Sequence, residues 1–221
     1  MSKDHPVSHP ALPFWRKYIF SVDHKVIGIQ YGITALLFLL FGFCLMLLMR
    51  WQLAFPGRAV PGLGGLFSAE NPFMPEGVME SGFYNALGAM HGTIMVFLAV
   101  VPLAVGAFGN YIVPLQAGAC DMAFPRLNMM SYWAYFLGGV VMLSTFLLPG
   151  GPPNSGWTSY PPLSVIADNG QTFWLIGMFL LIISSLLGSV NIIVTILHLR
   201  APGMTLMRMP FFLWTQLITA F

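Results

Sequence analysis

Asn85-Ala-Leu-Gly-Ala-Met-His91-Gly-Thr-Ile-Met95 opens an apolar run that continues without a charged residue to Phe108. The run is long enough to cross a bilayer, for which about 20 residues suffice. A histidine inside such a span is costly and needs a partner. Gly88 and Gly92 lie beside His91, so a bulky group or another backbone can come close to it.

The sequence leaves two interpretations of His91 open. In the first, Gly88 and Gly92 form a small-residue seam, and His91 hydrogen-bonds to the neighbouring helix. In the second, an imidazole nitrogen of His91 binds a metal ion or the iron of a heme. Spacing along one helix does not decide between them, because intramembrane histidines also belong to polar relays and packing networks.

Composition places the chain in a membrane. Hydrophobic residues make up 57% of the 221 positions and charged residues only 7%, whereas soluble domains carry about 25% charged residues. With so few charges, the net charge of +2 gives no indication of a nucleic-acid partner. We therefore predict an all-α fold, a polytopic bundle of transmembrane helices in contact with lipid.

Four long apolar runs predict four membrane spans, and the start of a fifth follows them. Residues 1–25 are predicted to form a tail and residues 26–221 the membrane domain. Pro102 predicts a kink in the second span, and the segment from Pro114 to Arg126 is predicted to be a compact loop. The predicted spans are Val26 to Met49, Gly82 to Val113, Leu127 to Leu148, Gln171 to Leu199 and the segment that Pro210 opens.

The basic residues predict the orientation of the spans. If the amino terminus lies inside the cell, the inner segments hold seven basic residues and the outer segments hold two, Arg50 and Arg58. This difference follows the positive-inside rule, so the amino terminus is predicted to be cytoplasmic. The seven inner residues are Lys3, Arg16, Lys17, Lys25, Arg126, Arg200 and Arg208.

Arg50 and His91 both fall in the outer half of the membrane. Arg50 closes the first span, and His91 lies about 14 Å below the outer start of the second, at 1.5 Å per residue. Arg50 either extends to lipid headgroups or donates to an acceptor on a cofactor that His91 holds. Trp157 and Tyr160, in the second outer loop, are interpreted as interfacial anchors.

Polar residues gather towards the inner ends of the spans. Asp121 is the acid of the inner loop; it is either a counter-charge to Arg126 or the start of a hydrated funnel into the membrane. His24, at the inner end of the first span, is predicted to be interfacial. The amides and hydroxyls either cap helices and bond to their own backbone or hold water in a proton path. They are Asn110, Asn128, Tyr31, Ser131, Ser184, Ser185 and Asn191.

Together these segments resemble subunit I of the heme-copper terminal oxidases, the cytochrome c oxidase type. The resemblance covers about residues 14–221, and a long inner-loop motif carries most of its specificity. The motif is Gly109-Asn-Tyr-Ile-Val-Pro-Leu-Gln-Ala-Gly-Ala-Cys-Asp-Met-Ala-Phe-Pro-Arg-Leu-Asn128, followed by Ser131-Tyr-Trp133. Four shorter motifs follow the family's order: Val22-Asp-His-Lys25, Met90-His-Gly92, Gly156-Trp-Thr-Ser-Tyr-Pro-Pro-Leu-Ser164 and Arg200-Ala-Pro-Gly-Met204.

The resemblance implies roles for the candidate residues. His91 would be an axial ligand of a low-spin heme, expected to be heme a, and Arg50 would bond the formyl group of that heme. Trp157 and Tyr160 would lie near the heme propionates and the active site. Asp121 would be the mouth of a proton channel whose water chain is held by Asn110, Asn128, Tyr31, Ser131, Ser184, Ser185 and Asn191.

The family fold has twelve spans, so the chain is expected to be part of a larger assembly. The ligands of the high-spin heme and copper lie further along in the family, so these cofactors are expected in the complete subunit. This portion alone is not expected to be active. The implied partners are the remaining helices of subunit I, subunit II with its electron-entry site, subunit III and cytochrome c. The implied location is the plasma membrane of a prokaryote.

The implied activity is reduction of oxygen to water with electrons from cytochrome c, coupled to proton pumping. Two alternatives share the fold, a quinol oxidase and a nitric oxide reductase; a transporter with a midplane histidine is the alternative from another class. The Asp121 set disfavours the reductase. The family's quinol oxidases carry Arg, Asp, His and Gln at the positions of Phe41, Leu45, Phe83 and Ala86 here, which favours cytochrome c as the electron source.

Overall fold

Four long apolar helices carry the fold, and the computed structural model describes residues 13–167 and 169–221. Each of the four is long and apolar enough to cross a membrane. The prediction of an all-helical, four-span protein with the start of a fifth span is therefore confirmed. The helices are α1 (His24–Ala54), α2 (Ser81–Ala117), α3 (Pro125–Leu147), α4 (Asn169–His198) and the shorter α5 (Phe211–Ala220).

The amino-terminal boundary lies two residues earlier than predicted. α1 begins at His24, because the Asp23 carboxylate accepts hydrogen bonds from the backbone N–H groups of Lys25 and Val26, at 2.7 and 3.4 Å. These bonds satisfy two of the donors that a helix start leaves free. Of the predicted tail, residues 1–12 lie outside the described part of the chain.

The inner loop between the second and third spans is shorter than predicted, because α2 continues through Pro114 to Ala117. A proline at position 114 has no N–H for the carbonyl of Asn110. The Nδ1–H of His24 donates to that carbonyl instead, at 2.9 Å. His24 is only 4% exposed, so its side chain is turned into the bundle at the start of the span. Gly118, at φ 74°, then ends the helix in the left-handed conformation.

Pro102 is accommodated by a change of helical register. The segments Ile94–Val100 and Pro102–Gly109 are π-helical, and the Val101 N–H reaches back five residues to the Val96 carbonyl. In an α-helix, residue 102 would donate to the Leu98 carbonyl. Here the Tyr135 hydroxyl donates to it from α3, at 2.7 Å. A neighbouring side chain thus replaces the bond that proline cannot make.

α3 and α4 approach each other through two glycines. A Cβ atom on Gly138 would lie 3.0 Å from the Gly177 carbonyl oxygen, and one on Gly177 would lie 2.9 Å from the Gly138 oxygen. Such close backbone approach is typical of membrane helices, where packing replaces the hydrophobic effect between helices. Large apolar residues such as Leu37, Phe179 and Ile182 face outwards and are exposed, as expected of surfaces in contact with lipid.

Candidate functional site

His91 is fixed by a hydrogen bond between α2 and α1. Its Nδ1 lies 2.8 Å from the Gly42 carbonyl oxygen. A carbonyl only accepts, so Nδ1 carries the proton and Nε2 keeps its lone pair. This geometry meets the packing interpretation, since His91 does bond to a neighbouring helix. It also leaves Nε2 as a metal ligand whose orientation is set through the other ring nitrogen.

The helix surface next to His91 is open on the Gly92 side and filled by Met49 on the Gly88 side. A Cβ atom on the adjacent Gly92 would meet no heavy atom within 4 Å, so there is open space beside the imidazole. The side chain of His91 itself is half-buried. In the described part of the chain no three His, Cys, Asp or Glu side chains come together as a metal site. An iron atom that a porphyrin already holds needs only an axial ligand from the protein, which His91 can supply.

Arg50 lies on the same helix as the carbonyl that holds His91. It is exposed, eight residues beyond Gly42, and therefore about 12 Å further towards the outer end of α1. The chain does not bring the guanidinium into contact with His91. The two side chains instead lie at different levels along the bundle.

Trp157 and Tyr160 lie in the outer loop between α3 and α4, and their side chains are 58% and 73% exposed. The indole of Trp157 lies 6.0 Å from the ring of Phe97, one and a half turns beyond His91 on α2. Phe97 lies near the midpoint of α2 (Ser81–Ala117), so this contact places Trp157 against the middle of that helix, further from its start than His91. Its remaining surface is free to meet a cofactor, lipid or another helix.

Gln171 fastens this loop, and the sequence analysis missed it. The Ser155 hydroxyl donates to Gln171 Oε1 at 2.6 Å, and Gln171 Nε2 donates to the Ser159 hydroxyl at 2.7 Å. Trp157 lies midway between the two serines. Gln171 is 5% exposed at the first turn of α4. A polar residue at the start of a span usually indicates an interface, so its sequence position gave no sign of this role.

The loop carrying Asp121 is held from α4. The Asp121 carboxylate is half-buried and accepts from the Met122 N–H at 2.7 Å. Asn191 accepts from the Phe124 N–H at 2.9 Å and donates to the Phe124 carbonyl. Thr195 accepts from the Ala123 N–H at 2.9 Å. Thr195 was also missed, although it lies four residues after Asn191 on one helix face, a spacing that indicates shared contacts.

Two buried asparagines have amide atoms without a partner in the described chain. Asn128 is 1% exposed, and neither its Oδ1 nor its Nδ2 makes a hydrogen bond. Asn110 donates to the Gly106 carbonyl at 2.7 Å, while its Oδ1 is buried and unpaired. Leaving such groups dry costs about 1–3 kcal/mol each. Ordered water is the usual partner of buried polar groups of this kind.

Tyr31, Ser131 and Ser184 form a hydrogen-bonded cluster between α1, α3 and α4. The Tyr31 hydroxyl lies 2.8 Å from Ser131 Oγ and 3.3 Å from Ser184 Oγ. Ser131 donates to the Ser184 carbonyl at 2.9 Å, and Ser184 donates to the Ser131 carbonyl at 2.7 Å. The predicted polar residues of three distant segments therefore do meet.

A cavity of about 310 Å³ lies beside this cluster, open on one side. Helices α1 to α5 all contribute to its wall. Five of the eight predicted proton-path residues line it: Tyr31, Asn110, Ser131, Ser184 and Ser185. Asp121, Asn128 and Asn191 are not part of its wall and lie towards the inner loop.

Comparisons with known proteins agree with this geometry. Residues 26–221 match the family described as Cytochrome C and Quinol oxidase polypeptide I. Cytochrome c oxidase subunit 1 of Thermostichus vulcanus is 45% identical over 98% of this chain and 37% of its own length. The protein of the same name from Synechocystis sp. is 41% identical over 96% of the chain and 35% of its own length.

Quinol oxidase subunit 1 of Bacillus subtilis is also similar, at 41% identity over 93% of the chain and 29% of its own length. The chain thus spans about a third of the length of these curated relatives. The match of residues 26–221 and the level of identity leave no place for the transporter alternative. The chain belongs to the family of cytochrome c and quinol oxidase polypeptide I, the subunit I of the heme-copper oxidases.

Proposed function

We propose that the chain is part of the catalytic subunit of a respiratory terminal oxidase. That enzyme would reduce oxygen to water with electrons from cytochrome c and couple the reaction to proton pumping. Family membership supports the reaction class. The observation that carries the proposal for these residues is the bond between His91 Nδ1 and Gly42, which leaves Nε2 for a metal.

In this proposal His91 binds the iron of a low-spin heme, expected to be heme a, through Nε2. The heme, when bound, supplies the reversible one-electron redox chemistry. Gly42 holds the imidazole in the tautomer that ligation needs, and Gly92 leaves room beside it. Arg50 donates to the formyl group of that heme, and Trp157 and Tyr160 lie near its propionates and the active site. The high-spin heme and the copper bind elsewhere in the complete subunit.

The inner half would take up protons. Asp121 faces the inner aqueous phase and collects them, and Asn128 and Asn110 hold water through their unpaired amide atoms. The path continues along the cavity beside Tyr31, Ser131, Ser184 and Ser185. Asn191 keeps the loop with Asp121 against α4. Each amide can both donate and accept without titrating, so water rather than a side chain carries the proton between them.

Cytochrome c is the proposed electron source, although a relative is named as a quinol oxidase. The four positions that are polar in the family's quinol oxidases are apolar and packed here. Phe41 contacts Phe146 at a ring distance of 5.6 Å, and Leu45 and Ala86 are 5% and 4% exposed. Phe83 packs on Phe73 at 5.3 Å. None of these side chains offers a hydrogen bond to a quinol headgroup.

The proposed location is the plasma membrane of a prokaryote, with residues 1–25 in the cytoplasm. The distribution of basic residues supports this orientation. Arg200 fits an inner helix end, since its guanidinium donates to the carbonyls of Ile196, Leu197 and Met204. Subunits II and III are the proposed partners, together with the remaining helices of subunit I.

Replacing His91 in the complete oxidase tests the proposal. Asparagine carries an N–H donor near the position of Nδ1, so His91→Asn keeps the bond to Gly42 while removing Nε2. We expect both His91→Asn and His91→Leu to lose the low-spin heme signal in optical and electron paramagnetic resonance spectra. His198→Leu, at the exposed inner end of α4, is the matched control. An unchanged heme spectrum in a folded His91→Asn oxidase would contradict the assignment.

A further inference from the structure

The cavity beside Tyr31 contains a hydroxyl that none of the roles above uses. Ser189 lines it from α4, four residues beyond Ser185 and two residues before Asn191. Ser185 and Ser189 therefore lie on one face of α4, about 6 Å apart along the helix axis. The wall between them includes Gly188, whose missing side chain keeps that stretch of the cavity open.

The hydroxyl groups around this cavity fall into two sets. The protons of Ser131 and Ser184 are both donated to backbone carbonyls, Ser131 to residue 184 and Ser184 to residue 131. Both hydroxyls are buried, and this reciprocal pair joins α3 to α4. In that arrangement neither hydroxyl has a proton free to donate to water. The cluster with Tyr31 thus holds the helices together more directly than it conducts protons.

Ser185 and Ser189 form the second set. In residues 13–167 and 169–221, the α4 hydroxyls of Ser184 and Thr195 make side-chain hydrogen bonds, whereas those of Ser185 and Ser189 make none. Serines in membrane helices commonly bond to the carbonyl one turn earlier, as Thr195 does to Asn191. Ser189 departs from that pattern: it lines the cavity, and its hydroxyl keeps a donor and an acceptor available.

The spacing of these hydroxyls suits bridging water. Two hydrogen bonds of about 2.8 Å in series span about 5.6 Å, close to the rise between Ser185 and Ser189. On the inner side, Asn110 lines the same cavity, and its Oδ1 is buried and unpaired. A buried water needs two to four polar partners. Asn110, Ser189 and Ser185 supply such partners in a row from the inner loop towards the membrane centre.

We propose that Ser189 is a water-holding residue of the proton path, and that the path runs along Asn110, Ser189 and Ser185 rather than through the Ser131–Ser184 pair. This inference rests on the proposed function. Ser189 acts through the water it holds and is therefore a positioning residue. On this assignment Ser131 and Ser184 form a structural pair, and Ser185 and Ser189 form a conducting face of α4.

The test uses the complete oxidase reconstituted in lipid vesicles, with proton uptake followed by a pH-sensitive dye after oxygen is admitted. Ser189→Ala removes the hydroxyl and leaves the cavity, and we expect uptake to slow about fivefold, the factor that corresponds to one ordinary hydrogen bond. Ser189→Thr restores a hydroxyl and should return uptake to within twofold of wild type. Heme spectra should stay unchanged in both variants, which a folding defect would not allow.

Ser144→Ala is the matched control, because Ser144 lies in a span and donates to its own helix, to the Val141 carbonyl at 2.6 Å. Uptake in Ser189→Ala as fast as in Ser144→Ala would overturn the inference. Asp121→Asn, measured alongside, distinguishes failure of this inference from failure of the proposed function. Slow uptake in Asp121→Asn with normal uptake in Ser189→Ala rejects the Ser189 path alone, whereas normal uptake in Asp121→Asn rejects the proton path as a whole.

Discussion

Replacing Tyr135 with phenylalanine removes one hydroxyl from the centre of the bundle and little else. The ring stays packed against Tyr31 and Phe38, at centroid distances of 5.1 and 5.9 Å. The lost hydroxyl donates to the Leu98 carbonyl. The proline at position 102 has no N–H, so it cannot donate to this carbonyl as another residue would in an α-helix. Tyr135 is 1% exposed, so the hydroxyl and its acceptor are both inside the bundle.

The expected loss in the free energy of unfolding follows from this geometry. A buried acceptor left without its partner costs about 1–3 kcal/mol. Pro102→Ala supplies an N–H four residues after Leu98, which reaches the Leu98 carbonyl once the helix returns from the π to the α register, so it should lower the cost of Tyr135→Phe. We expect a coupling of about 1 kcal/mol between the two positions, within the range for residues that share a partner.

The assay is an SDS titration of the complete subunit in mild detergent, followed by tryptophan fluorescence, for both single variants and the double variant. Tyr132→Phe is the control, because its hydroxyl pairs with Thr34 at 3.1 Å and not with the Leu98 carbonyl. Its effect should be the same with and without Pro102→Ala. If Tyr135→Phe costs the same in both backgrounds, Tyr135 does not compensate for the proline.

Two further variants test the candidate site in the complete oxidase. Asp121→Asn still accepts the Met122 N–H, so the heme spectra should be normal while turnover slows severalfold and proton pumping is lost; an ion pair with Arg126, worth about 0–1 kcal/mol, would leave both intact. Arg50→Met should keep the heme bound and move its visible band to the blue, because a guanidinium no longer polarises the ring system. A band that stays in place would show that Arg50 serves lipid headgroups.

The sequence predicted the spans well, because the membrane imposes a strong and local constraint. A helix must carry about 20 apolar residues wherever it crosses, so each span is visible within its own stretch of chain. The same holds for His91: an ionisable residue deep in an apolar run stands out, and it did prove to have a partner on α1. The depth of His91 in the span and its isolation among apolar residues can both be read from the sequence of that one segment.

What the sequence could not predict depends on contacts between distant segments. His24 looked interfacial because it lies near a span end, yet its partner is 86 residues away in the chain. The sequence also predicts a loop from Pro114, because the His24 donor that bonds the Asn110 carbonyl lies on α1, far away in the chain. Gln171 and Thr195 bind loops that fold back on them, and no local pattern reveals that.

The two prolines of α2 bear on how the chain is made. Each proline leaves one α2 carbonyl, that of Asn110 or Leu98, without its helical donor. The side chains that donate to these carbonyls, His24 and Tyr135, come from the helices before and after α2. During synthesis α1 is already in the membrane when α2 arrives, so the inner end of α2 finds its donor at once. The Leu98 carbonyl must wait for α3. The side-chain hydrogen bonds to these two carbonyls are therefore complete only when the third span has followed α2 into the bilayer.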